Sequence, residues 1–241
     1  MDILFWTQSN PNIAVEHTTK KYFGKYLYKI VVYCPAGRLI DGKSTMSNEL
    51  EHRRDVAKNI DKSGWWGYRY NKNLENANIE LLELMRDIRR NPHGIKLRVE
   101  EPRIQVYANT EIELIELVQT RLQPFLSNIE SVSGPEDILA EEILNSGSII
   151  RKKDLGFRFK VIIRDGRYNS SVKNNILTYI DSLGTDVIQV SKSGRSMLSK
   201  GSGFIWNLYF YTNDPHVVTF LNLIHPNLVS NCHELVVIPH K

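Results

Sequence analysis

Cysteine is nearly absent from this chain: Cys34 and Cys232 are the two in 241 residues. They form no CxxC pair, which excludes a disulfide framework and a thiolate zinc site. Long apolar runs are missing too. None approaches the ~18–20 residues of a membrane span, so no membrane partner is expected. The opening stretch from Met1 to Gln8 has neither the basic segment nor the apolar run of a signal peptide. A cytoplasmic location is expected, or a host cytoplasm or virion if the chain is viral. A strong charge of one sign is also lacking. Lys and Arg number 31 against 27 Asp and Glu, a net charge of +4, with a pI near 8.9. That balance permits a nucleic-acid partner without demanding one. What is present is a globular composition, 41% hydrophobic and 24% charged, enough for a core and too apolar for disorder.

Catalytic signatures are equally sparse. The Ser191–Gly203 segment is not a Walker A loop, and there is no Gly-x-Gly-x-x-Gly, no Gly-x-Ser-x-Gly, and no His-x-His or His-Glu-x-x-His. The first strand of each half has no Asp or Glu, and the central hairpin offers only Glu100 and Glu101 beside Pro102. This argues against the carboxylate-held metals of polymerases and cyclases, unless Asp41, Asp165 or Glu101 converge in space. No cofactor, metal site or catalytic residue is expected, and neither is nucleotide hydrolysis or polymerisation.

The chain resembles itself. Tyr26–Tyr33 and Phe157–Arg164 both read aromatic, any, aromatic, Lys, then three aliphatics, and both run into a turn containing Gly-Arg. Their β-branched and aromatic content predicts strands. Ile104–Thr110 and Asn207–Asn213 form a second pair, each a strand entering an amphipathic helix. Thr110 with Glu113 fits a capping box, and Asn213 with Pro215 the other common start signal. Short final strands follow at 128–132 and 234–238. The second copy reads strand 157–164, helix 172–183, strand 186–191, strand 203–211, helix 215–223 and strand 234–238. The first reads strand 26–33, helix 47–60, strand 64–70, strand 95–108, helix 111–122 and strand 128–132, with a helix inserted at about 76–90. The expected fold is therefore α+β: two tandem ferredoxin-like, RRM-like β-α-β-β-α-β domains, the first with an inserted helix. Residues 1–19 are expected as an arm, 20–134 as domain 1, 135–149 as an acidic linker helix and 150–241 as domain 2.

Alternation assigns the faces. Phe157, Phe159, Val161 and Ile163, with Phe204, Trp206, Leu208 and Phe210, should meet the helices. The opposite face then carries Arg158, Lys160, Arg164, Asn207, Tyr209 and Tyr211. Cations beside aromatics on an open sheet suit single-stranded nucleic acid, because cations meet phosphates and bases stack on rings. In the first copy Lys29, Tyr33, Arg103 and Tyr107 are the counterparts, in a register uncertain by one residue. The segment Ser191–Gly203, with three glycines, hydroxyls, Lys192, Arg195 and Lys200, is expected to be a mobile phosphate-contacting loop. Two further basic clusters, Arg86/Arg89/Arg90 and Arg151-Lys152-Lys153, read as solvated surface.

The expected function is single-stranded RNA or DNA binding by these faces. The sheet-face reading is similar to that of RNA-recognition domains, although their glycine and aromatic consensus is absent from both third strands. A second reading is a viral or phage accessory or assembly protein that binds a protein partner, with Trp65-Trp66 as an anchor pair. A third is metal-independent RNA cleavage, which needs a general acid or base and a cation. In length and in carrying two ferredoxin-like domains the chain resembles the CRISPR RNA-processing endonucleases. That resemblance covers architecture and no motif, and would make His17, His52 and Tyr22 the candidates.

Overall fold

Local periodicity and capping place the elements in a computed structural model that describes residues 1–58 and 72–238. Contacts divide the chain into two units, Met1–Glu141 and Glu142–Lys241. In the first unit the order is α1 (Ile3–Ser9), β1 (Ala14–His17), β2 (Tyr28–Tyr33), a 3-10 turn (Gly37–Asp41) and α2 (Met46–Lys58). It continues with α3 (Ile79–Arg90), β3 (Lys96–Glu100), β4 (Arg103–Ala108), α4 (Glu111–Leu117) and β5 (Ile129–Gly134). α5 (Ile138–Asn145) follows. The second unit holds β6 (Ile149–Arg151), β7 (Phe159–Ile163), β8 (Gly166–Tyr168), α6 (Ser170–Ser182), β9 (Ile188–Val190) and α7 (Lys192–Ser199). It ends with β10 (Gly203–Ile205), β11 (Tyr209–Thr212), α8 (Val217–Ile224) and β12 (Val229–Val237).

Each unit is α+β and is built on a five-stranded mixed sheet. The first has strand order β1-β5-β2-β4-β3 and the second β6-β12-β7-β11-β9. Within each, four strands pair antiparallel, and a short N-terminal strand adds in parallel to the last one: β1 on β5, and β6 on β12. The internal similarity thus extends to the edge strands, which lie outside the sequence repeat. The N-terminal residues expected as an arm form α1 and β1. Trp6 of α1 is fully buried and its indole N–H donates to Glu111 Oε1 at 2.8 Å.

The core sides follow the alternation. Ile30, Val32, Ile104, Val106 and Val132 are buried together with Leu114 and Leu117 of α4. On α3, Leu81, Leu82, Met85 and Ile88 recur at helical spacing and are all buried. Each such side chain contributes about 1.5–3 kcal/mol of burial free energy. In the second unit Val161, Ile163, Ile188 and Phe210 pack with Ile176, Ile180, Val217 and Leu221 of α6 and α8. Thr110 closes the expected capping box with Glu113 on α4.

Three expectations change, and one falls outside the described residues. The strand expected at 95–108 is a hairpin, β3 and β4, paired directly, so α3 precedes both strands of that hairpin. The strand expected at 64–70, and Trp65-Trp66 with it, lies outside the described residues. The strand expected over 203–211 is broken between β10 and β11. There the Asn207 N–H donates to Asp165 Oδ1 at 2.7 Å and Asn207 adopts φ +46°, and alternation fails across the break. Phe204 and Trp206 are consequently 48% and 62% exposed and are not core residues.

The third correction is the Ser191–Gly203 loop, which is largely helix α7. Ser191 caps it by accepting the Gly194 N–H at 3.0 Å. Gly194 serves close packing: a Cβ there would sit 2.8 Å from Leu208 Cδ1. Leu198 enters the core. At the other end the buried Lys173 ammonium donates to the Met197 carbonyl at 3.3 Å, a cation where the helix dipole is negative. Composition alone suggested mobility, but these nonlocal contacts order the segment.

Candidate functional site

Strand register assembles a row across the second sheet. Lys160 of β7 lies directly opposite Tyr211 of β11. Gln189 of β9 lies opposite Tyr211 from the other side, and His233 of β12 opposite Lys160. Paired residues share a face, and this one is opposite to Val161 and Phe210, which enter the core. Tyr209 joins it two residues along β11 and is 36% exposed. The Lys160 ammonium sits 4.0 Å from the Tyr209 ring centroid, close enough for a cation–π contact. Tyr209 and Tyr211 meet edge to face at 5.6 Å. Burial, and then the neighbouring Tyr209, raise the Tyr211 phenol above its usual range, so it is neutral at physiological pH.

Two members of this cluster escape the alternation rule. Phe157, expected in the core, stacks on Tyr211 with centroids 6.4 Å apart and ring planes 24° from parallel. The strand begins only at Phe159, and Arg158 just before it donates its N–H to Asn213 Oδ1, so period-two logic does not reach Phe157. Arg151, expected as solvated surface, ends β6 close enough to Tyr211 to lower its pKa. The Arg151 Nε is buried without a hydrogen-bond partner. A lone aromatic just ahead of a strand was the one available signal for Phe157; nothing in the sequence marked Arg151.

The other expected residues disperse. Arg158 is ion-paired with Glu234 at 3.0 Å, and Arg164 donates Nε–H to the Asn227 carbonyl at 3.0 Å. Lys192, Arg195 and Lys200 belong to α7 or its C-cap. α7 sends Leu198 into the core from the helix side, so these cations do not join the tyrosine face. Arg195 is ion-paired with Asp181 of α6. The solvated-surface reading also fails for Arg86, which is buried and donates to the Ser44 and Leu39 carbonyls.

In the first unit, register puts Lys29 opposite Tyr107 and Tyr33 opposite Arg103, all on one face. That face differs in chemistry. Tyr107 is only 3% exposed, covered by Phe23, Tyr22 and Tyr26 at 5.1, 5.3 and 6.2 Å. Burial pushes its phenol up to about 12. The Lys29 ammonium lies 5.3 Å from the Tyr22 ring, and Arg103 is ion-paired with Glu130. His17 and His52 are exposed on β1 and α2. Among the described residues no group of three or more His, Cys, Asp or Glu gathers to hold a metal, and no helix is long and apolar enough to cross a membrane. No protein-family model, curated protein or solved structure matches the chain.

Proposed function

We propose that the protein binds single-stranded nucleic acid on the exposed sheet face of its second unit, and that each unit is a ferredoxin-like domain extended by one edge strand. The strand orders β5-β2-β4-β3 and β12-β7-β11-β9 support the second part: numbered by chain order within each unit, both read 4-1-3-2, the order of a split βαβ. The observation that carries the binding reading is the continuous set of Phe157, Tyr211, Tyr209 and Lys160 on the face opposite Val161 and Phe210, where Tyr209 is 36% exposed. Rings there offer stacking surfaces to bases, and Lys160 and Arg151 offer charge to phosphates, a combination tolerant of sequence. No catalytic residue is proposed.

The test is binding of labelled single-stranded RNA and DNA at two salt concentrations. Affinity should fall as salt rises, because each phosphate contact releases counterions. Absence of binding at low salt would replace this reading with a protein partner. Cleavage of RNA without metal would replace it with a ribonuclease.

A further inference from the structure

The β8–β10 ribbon continues the two strands that carry the tyrosine face. Beyond Ile163, whose N–H donates to the Leu208 carbonyl at 2.9 Å, the pairing resumes as Gly166 with Ile205, Arg167 with Phe204 and Tyr168 with Gly203. Ile205 and Tyr168 belong to the core cluster. Their alternates Arg167 and Phe204 therefore point away from the core. Trp206, in the break between β10 and β11, lies with its ring 5.0 Å from that of Phe204. The break is held in place: Asp165 accepts the Asn207 N–H, and the Tyr168 hydroxyl donates to the Arg164 carbonyl at 2.8 Å.

Two large aromatic rings left exposed on an ordered ribbon need an explanation. The core does not require them, since Ile205 and Tyr168 already anchor the ribbon. Their neighbours are cationic: Arg167 is directly across from Phe204 and has no ion-pair partner among the described residues, and Arg164 precedes the ribbon. The nearby carboxylate of Asp165 is engaged by backbone. Rings with cations, in line with a second such set, repeat the chemistry of the tyrosine face.

Resting on the nucleic-acid reading above, we infer that the ribbon is a second stacking platform of the same site, so that one single strand runs from Phe157 and Tyr211 over Tyr209 to Phe204 and Trp206, with Lys160 and Arg167 along its phosphates. From Tyr211 to Phe204 the two strands advance roughly 20 Å at the usual rise per residue. The site therefore takes several nucleotides, and the ribbon is reached only by a strand long enough to cover the sheet first.

Oligouridylate and oligothymidylate of about four and about twelve nucleotides distinguish the two platforms in the full-length chain. Phe204→Ala and Trp206→Ala should each weaken the long oligomer by about tenfold and leave the short one unchanged, whereas Tyr211→Ala should weaken both. Trp206→Phe should keep the affinity while removing the tryptophan quenching that the long oligomer alone produces. If Phe204→Ala and Trp206→Ala bind the long oligomer as the unaltered chain does while Tyr211→Ala does not, the ribbon inference is wrong and the sheet-face reading stands. If no oligomer binds, both fall. If, in addition, Trp206→Ala changes the oligomeric state, the exposed rings belong to a self-association surface.

Discussion

Two equivalent rows of side chains cross the two sheets and meet different fates. In the first unit the row is Ser133, Lys29, Tyr107 and Lys96; in the second it is His233, Lys160, Tyr211 and Gln189. Each places a lysine on the first central strand opposite a tyrosine on the second. The difference comes from the connection before that first strand. Residues 18–27 fold back through a Tyr22–Tyr26 bridge, with Phe23 and Gly24 at φ +53° and +68°, and lay three rings over Tyr107. Lys96 then covers Phe23 at 3.6 Å. In the second unit the shorter connection 152–158 delivers a single ring, Phe157, to Tyr211. The same register thus yields a satellite core in one unit and an aromatic surface in the other, and the loop decides which.

The largest expected contrast is in stability. Tyr107→Ala should cost about 3 kcal/mol, since it empties a buried site under three rings. Tyr211→Ala at the equivalent position should cost about 1 kcal/mol or less. Denaturant midpoints of the two variants would show this, and equal losses would break the comparison. Binding should reverse the ranking: Tyr209→Ala and Tyr211→Ala should each weaken single-stranded oligomers by about 1–3 kcal/mol. Lys160→Ala should reduce the salt slope by about 0.7, the share of one phosphate on a single strand.

A smaller effect tests the loop directly. Tyr22→Ala with Phe23→Ala should lower stability by about 1 kcal/mol. In a Tyr211→Ala background the same pair should restore oligomer binding by about fivefold, by uncovering Tyr107, Lys29 and Lys96. No recovery would mean that the rows are alike in register only.

Titration gives a further separation. Burial holds the Tyr107 phenol up to about 12 against a usual value of 10.0, and burial with Glu141 raises Tyr28 of the same unit further. A folded-state pKa above the unfolded one stabilises the neutral phenol below the unfolded value, and this stabilisation is lost as pH rises through the folded value. Stability should therefore fall between about pH 10 and pH 12. Tyrosinate absorbance should show a late-titrating class that Tyr107→Phe reduces.

The least disruptive probe is thiol labelling. Cys34 is buried, and burial followed by Glu101 pushes its thiol up to about 12, whereas Cys232 is exposed. A disulfide reagent should label Cys232 in the native chain and Cys34 only after unfolding.

Residues that act through their near neighbours were legible in the sequence. The aliphatic runs Ile30–Val32 and Val161–Ile163 became central strands, Thr110 and Glu113 closed their capping box, and the face of Lys160 and the face of Tyr209 and Tyr211 were legible because period two is a local property of each strand. Tertiary structure alone decided the rest. It buried Tyr107 beneath a loop distant in sequence, turned Ser191–Gly203 into a helix through Lys173 and Leu198, and drew its cations away from the tyrosines. It also turned Phe204 and Trp206 outward at the Asn207 break. Alternation tells which side chains share a face, but whether that face meets solvent depends on what else folds over it, and that is set by contacts no short window of sequence contains.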